Sequence, residues 1–298
     1  MNPNTSRLRK MGSLALLAAM LIIGSSANAQ IAVRIQMSKD SYMLHEPVSA
    51  TVHITNHAGR QLALRGNSSR PWLTFHLVSN GKVIPIARRM NYNPVMIPAG
   101  QTVSRKININ TTYSLGRMGN YVCSATVNMP GPTRNGFTSN RDAFTVTGGR
   151  TMWVQRAGIP QAPGEIREYK LVSFTGNRAL ELYAQVSSAN SGLHIATIPL
   201  GKVLTIRSPT ATLDSANNMH ALYQVKPNVF THVTISPNGA VLSASHHKRG
   251  VSGQDPRLYA LNGAVVVAGS VAYSPEVEAA QNKKIRSATD RPAFIYRK

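Results

Sequence analysis

The chain has 298 residues, 42% of them hydrophobic, which supports a core of ordinary size and argues against disorder. Lys and Arg number 33 against 11 Asp and Glu, a net charge of +22, and a single cysteine excludes an internal disulfide framework and a Cys-rich zinc site. No apolar run after residue 24 is long enough to span a bilayer.

Arg7, Arg9 and Lys10 precede an apolar run from Met11 to Ile23, and small residues stand at Ala27 and Ala29. That is the pattern of a secretory signal peptide over residues 1–29, so the chain is expected in the periplasm or outside the cell after cleavage near Ala29. The mature chain then begins at Gln30 with 30 basic and 11 acidic residues, a net charge of +19. Along the sequence the excess divides evenly, with 13 basic and 3 acidic residues in 30–148 and 17 and 8 in 149–298. Such an excess speeds association with anionic partners and carries no information about fold. An exported chain also meets the external pH directly, so an acidic habitat is a second explanation of the charge.

From residue 31 the sequence alternates as short strands between turns. Val48 to Ile54 and Leu73 to Val78 have period two, and Ser79-Asn80-Gly81-Lys82 is a hairpin signal. Val103 to Ile109, Tyr121 to Val127 and Phe144-Thr145-Val146 follow before Gly148-Gly149. Strands at this spacing predict a β-sandwich over residues 30–148. Gly119-Asn120-Tyr121-Val122-Cys123 places a tyrosine two residues before a cysteine at a strand start, the pattern of a tyrosine corner. Cys123 is expected to be a core thiol.

With these residues on the page, Val52 through Val127 resembles bacterial immunoglobulin-like sandwiches of the BsuPI proteinase-inhibitor type. The shared features are the turn and strand from Asn56 to Leu64, the segment Ile97-Pro98-Ala99-Gly100-Gln101 and the segment Gly119-Asn120-Tyr121. The resemblance implies an Ig-like fold; no reactive segment of an inhibitor can be matched.

The second half repeats itself. Asn177 to Tyr183 recurs as Asn218 to Tyr223, and a third copy starts at Asn262. Downstream, His194 to Leu204 aligns with His232 to Leu242. A period of about 40 with several strands per unit predicts a small propeller-like repeat domain over residues 149–298. Ser274-Pro275-Glu276 starts a short C-terminal helix to about Arg286, and Ala293 to Tyr296 reads as a final strand. The fold class is therefore all-β, an Ig-like sandwich followed by a propeller-like repeat domain. The whole chain resembles uncharacterised secreted bacterial proteins that join such modules.

Chemistry is sparse. Asp40, Asp142, Asp214, Asp255 and Asp290 stand singly in turns or tails. His53 and His57 flank a strand end, and neither they nor His246-His247 have the helical i, i+4 arrangement with a nearby acid that marks a zinc protease; His246-His247 reads as a solvated loop, and His194 and His232 are equivalent repeat positions. No nucleophile elbow, phosphate loop or dinucleotide fingerprint occurs. No catalytic residue, metal ligand or cofactor is expected. The anion-binding candidates are Arg88, Arg89, Arg105, Lys106, Lys248 and Arg249, although neighbours on a strand point to opposite faces. Lys283, Lys284 and Arg286 form a further basic group.

The expected function is that of a secreted, non-catalytic binding or scaffolding protein. Its partners would be anionic polysaccharide, lipid head groups or a cell-surface protein, with no sequence-specific nucleic acid and no transmembrane segment in the mature chain. The alternatives are a hydrolase with its site at the mouth of the repeat domain and a proteinase-inhibitor-like sandwich.

Overall fold

A computed structural model describes residues 31–129, 136–160, 162–176, 179–251 and 253–284. The signal peptide expected at 1–29 and the strand expected at Ala293–Tyr296 lie outside these residues. The described chain is all-β with one short helix. Its first strands are β1 (Ile31–Met37), β2 (Ser41–Met43), β3 (Ser49–Asn56), β4 (Leu62–Leu64), β5 (Leu73–Ser79) and β6 (Lys82–Val83). Next come β7 (Val95–Ile97), β8 (Thr102–Asn108), β9 (Gly119–Asn128), β10 (Gly136–Thr138) and β11 (Asp142–Thr147). The repeat region gives β12 (Arg150–Ile159), β13 (Ala162–Thr175), β14 (Leu180–Ser188), β15 (His194–Lys202), β16 (Thr210–Leu213) and β17 (Met219–Lys226). It ends with β18 (Val229–Ile235), β19 (Val241–Arg249), β20 (Arg257–Leu261), β21 (Ala264–Ala268), β22 (Ser270–Tyr273) and helix α1 (Pro275–Lys284).

The chain forms two compact units, and it passes between them more than once. The first holds the described residues up to Met37, Ser49–Tyr113 and Val122–Asp142. The second holds Ser38–Val48, Ser114–Tyr121 and the described residues from Ala143 onward.

In the first unit β1, β3 and β8 form an antiparallel sheet in the order β1-β3-β8. β3 alternates strictly: Ala50, Val52 and Ile54 are fully buried while Thr51, His53 and Thr55 face outward. β5 and β6 form the expected hairpin, with Asn80 and Gly81 both at positive φ (49° and 74°), as a two-residue turn requires. The buried Asn56 ends β3: its side-chain amide donates to the carbonyls of Arg60 and Ile97, and its oxygen accepts from the Ala58 amide. Cys123 is fully buried in β9, and burial pushes its thiol up to about 12, so it is an unreactive core residue.

In the second unit β2 runs parallel to β11, and the start of β9 carries the tyrosine corner. Tyr121 donates its hydroxyl to the Arg117 carbonyl at 2.7 Å and stacks on Phe144 with ring centroids 5.3 Å apart. Tyr121 is 4% exposed, so Tyr121→Phe leaves that carbonyl without its buried donor. The expected cost is about 1 kcal/mol in urea unfolding, with the β content by circular dichroism unchanged.

The repeats fold as hairpins in two sheets, β12-β13-β14-β15 and β16-β17-β18-β19-β22. The first repeat contributes β14 and β15, the second β17 and β18. Leu182, Ala184 and Val186 of the one join Met219, Ala221, Tyr223, Val233 and Ile235 of the other in a single hydrophobic cluster. Among the described residues the two sheets share this core and neither is closed, so no ring of blades is seen. Asn262-Gly263, which begins the third copy, is instead the tight turn of the separate β20–β21 hairpin, at φ 51° and 82°. Gly149 is needed for close approach: a Cβ there would stand 2.4 Å from Val172 Cγ1 and 2.7 Å from the Ser173 carbonyl. Helix α1 starts where expected, with the Glu278 amide bonded to the Ser274 carbonyl.

An ion cluster ties the β2 segment to β14. Lys39 Nζ lies 2.5 Å from Glu46 Oε1, 2.8 Å from Glu181 Oε2 and 3.2 Å from the Tyr183 hydroxyl. Glu46 is 5% exposed and also accepts from the Met43 amide. Burial works against the Lys39 charge, but its bonds to Glu181 and Glu46 outweigh this and raise its pKa. Glu181 is lowered on balance: burial opposes ionisation, and the bonds from Lys39 and Tyr183 exceed it.

Candidate functional site

The sequence divides its charge evenly, but the folded units do not. Asp40 and Glu46 belong to the second unit, so the first keeps Asp142 as its one acid against eleven Lys and Arg. Ten of those bases are described: Arg34, Arg60, Arg65, Arg70, Lys82, Arg88, Arg89, Arg105, Lys106 and Arg141. All ten are exposed, and among the described residues none is in an ion pair. From Ser49 to Tyr113 the sequence has no acid at all.

Strand geometry sorts these bases. On the outward face of β1-β3-β8, Arg34 pairs across from His53 and Lys106 from Thr51, among Gln36, Thr55, Thr102 and Ser104. His53 Nδ1 lies 2.7 Å from Ser104 Oγ and Thr55 Oγ1 2.8 Å from Thr102 Oγ1, so the polar face is laced together. Arg105 alternates to the other side of the strand, in register with the buried Val52, and stays exposed at the sheet edge. Arg88 and Arg89 lie in the irregular segment between β6 and β7. The amides of Ala87 and Arg88 both donate to the Thr112 carbonyl there.

The other two candidates are already engaged, and both lie in the second unit. Lys248 Nζ is 2.5 Å from Glu278 Oε1 and sits 4.2 Å from the centre of the Tyr273 ring. Arg249 Nε is 2.5 Å from Asp255 Oδ1, and Arg207 takes the other oxygen of that carboxylate at 2.6 Å. Arg156, Arg167 and Lys170 are likewise paired with Glu168 or Glu165. Of the further basic group, Arg286 lies outside the described residues.

The second unit holds a histidine cluster that the sequence only half revealed. His246 and His247 are not in a loop but inside β19, where His246 Nδ1 lies 2.9 Å from Thr231 Oγ1. The Asp214 carboxylate closes its turn by accepting from the amides of Ala216 and Asn218, and its Oδ2 also lies 3.2 Å from His220 Nε2. Because the carboxylate only accepts, His220 donates to it from Nε2, and Nδ1 then accepts from His232 Nε2 at 2.9 Å. Both rings are buried and stack at 5.2 Å. Burial, with His220 and His247 nearby, lowers His232 to about 4, so His232 is neutral at neutral pH. His194, the repeat-equivalent residue, stacks on His45 at 3.9 Å, and burial with His45 lowers it to about 4 as well.

His247 has an assignable orientation too. The Ser270 hydroxyl donates to the Val267 carbonyl, so its oxygen accepts from His247 Nδ1, and His247 Nε2 faces Ser245 Oγ at 2.9 Å. Among the described residues no three His, Cys, Asp or Glu side chains are placed to hold a metal ion. Two carboxylates, Glu276 and Glu278, line one open cleft of about 860 Å³ beside His246, but Glu278 is held by Lys248 and by Tyr273. No described helix is long and apolar enough to cross a membrane.

No family model matches this chain. No curated protein matches it either. Among solved structures, the crystal structure of the CARDB domain of a Pyrococcus furiosus protein, in complex with di-metal ions, is 16% identical. That match covers 39% of this chain and 87% of that one, with a TM-score of 0.24. The solution structure of the same domain gives 16% identity, 40% and 94% coverage and a TM-score of 0.23. The sporulation control protein Spo0M from Bacillus subtilis is 14% identical over 56% of this chain and 83% of its own, with a TM-score of 0.26. At such TM-scores the likeness carries nothing about a site.

Proposed function

We propose that this is an exported, non-catalytic protein that binds anionic polymers through the surface of its first compact unit. The observation that carries the reading is the composition of that unit, eleven Lys and Arg against one Asp, with its ten described bases exposed and outside ion pairs. Bases already neutralised by a carboxylate have little left for a partner, whereas these ten add to a common field. Within this reading the sandwich is an immunoglobulin-like module, which the Tyr121–Arg117 corner at the start of β9 supports. The hydrolase alternative would need two free carboxylates in one cleft, and Glu278 is committed to Lys248 and Tyr273.

The test passes residues 30–298 over dextran sulfate and over neutral dextran across a salt series. Retention on dextran sulfate that weakens steeply as salt rises, with none on dextran, is the expected result. Equal behaviour on the two supports, or no retention at low salt, contradicts it.

A further inference from the structure

Between β6 and β7 the chain runs for eleven residues, 84–94, without regular structure, yet it is pinned throughout. The Ile84 amide donates to the Leu77 carbonyl at 2.8 Å, and those of Ala87 and Arg88 donate to the Thr112 carbonyl at 2.9 and 3.2 Å. Trp72 Nε1 donates to the Tyr92 carbonyl at 3.0 Å, and the Tyr92 hydroxyl lies 3.3 Å from Thr112 Oγ1. A long segment fixed at both ends and in the middle is a preformed wall rather than a loose connection.

Between this wall and β5 is a cavity of about 240 Å³. Phe75, Ile86, Met90 and Tyr92 supply apolar sides, with the Phe75 and Tyr92 rings edge to face at 6.2 Å, and Thr112 supplies a hydroxyl. Arg89 also lines it, is exposed, and is in no ion pair among the described residues. The whole stretch from Ser49 to Tyr113 contains no Asp or Glu, so nothing in it repels an anion or competes for that guanidinium. Ligand pockets commonly measure about 300–1,000 Å³, so this one has room for a single ring and not for a chain.

We propose that this cavity binds a small carboxylate whose apolar body is about one ring in size, with Arg89 holding the carboxylate. Arg suits this because its planar guanidinium meets both carboxylate oxygens, and the apolar walls receive the body. Arg89 is also one of the ten exposed bases counted above, but the titrations below use small acids with no polymer present, so this proposal stands or falls without polymer binding.

Trp72 bonds to Tyr92 in the wall and reports on the cavity by fluorescence, with Trp153→Phe removing the other tryptophan signal. Titration of that variant with phenylacetate and with cyclohexanecarboxylate should give saturable changes, while benzyl alcohol and benzylamine give none or bind far more weakly. Arg89→Gln should weaken phenylacetate at least tenfold. Ile86→Phe, at a position already 50% exposed, adds no tryptophan signal and should block the cavity without harming the fold, checked by an unchanged unfolding midpoint. Equal binding of the acid and the alcohol, or phenylacetate binding untouched by both Arg89→Gln and Ile86→Phe, overturns the proposal. So does the lack of any saturable response at millimolar acid. Free acid and peptide-borne acid are told apart by repeating the titration with a dipeptide ending in Phe: equal affinity places the carboxylate at a chain end, weaker affinity favours the free acid.

Discussion

Lys39→Met is expected to lower stability by about 2–3 kcal/mol, below the range for a fully buried pair because the Lys39 side chain is 31% exposed. The loss comes from what is left behind. Glu46, 5% exposed, and Glu181 would both face the vacated position without the ammonium 2.5 and 2.8 Å away. The Tyr183 hydroxyl still donates to Glu181, so the greater strain falls on Glu46. Adding Glu46→Gln to Lys39→Met should recover part of the loss, because glutamine is neutral and can still accept from the Met43 amide. Urea unfolding of the two single variants and the double variant measures this. A cost below about 1 kcal/mol for Lys39→Met would show that the cluster behaves as a surface pair.

The second large effect is with pH. His232 titrates at about 4 when folded and near 6.5 when unfolded, so between those values the unfolded chain binds the additional proton. Its contribution is therefore intact above pH 6.5 and is lost as pH falls toward 4, at up to about 3 kcal/mol. His194, also at about 4, adds a smaller loss in the same window because it is partly exposed. Glu168, Glu181 and Asp214, all lowered in the fold, add a further loss below the ordinary carboxylate range. Unfolding midpoints at pH 7.5, 6 and 5 should fall steadily, and His232→Gln should flatten that fall. A midpoint independent of pH from 7.5 to 5 contradicts the buried-neutral account of these rings. A fold that weakens in mild acid also fits poorly with an acidic habitat as the reason for the basic charge.

Much of the fold is legible where local rules decide. β3, β5, β8 and β9 follow period two, Asn80-Gly81 turns where its φ angles require, and Tyr121 stands two residues before Cys123. Strands such as β2, β4 and β7 are three residues long, too short to show a period, and owe their extension to pairing partners. β19 hid because Ser243 to Arg249 is polar apart from Ala244; its hydrogen bonds to β18 and β22, not its side chains, make it a strand. Lys39 and Glu181 lie 142 positions apart, and nothing local announces their meeting. The register that brings His220 beside His232 is set by the β17–β18 hairpin, whereas the repeat alignment flagged only His232. The even charge along the sequence becomes uneven in the fold for a related reason. Counting along the chain assigns Asp40 and Glu46 to the basic half, while the folded chain carries them into the other unit.

The central claim is that unpaired bases of the first unit, and not total charge, bind anionic polymer. The most direct measurement compares two variants of residues 30–298, each with five bases replaced by glutamine, on dextran sulfate in a salt gradient. One replaces Arg34, Arg88, Arg89, Arg105 and Lys106 by glutamine; the other replaces Arg156, Lys170, Arg207, Lys248 and Arg249. Both remove the same charge. The account predicts that the first elutes at much lower salt than the unaltered chain and that the second elutes close to it. Equal shifts for the two variants would contradict it.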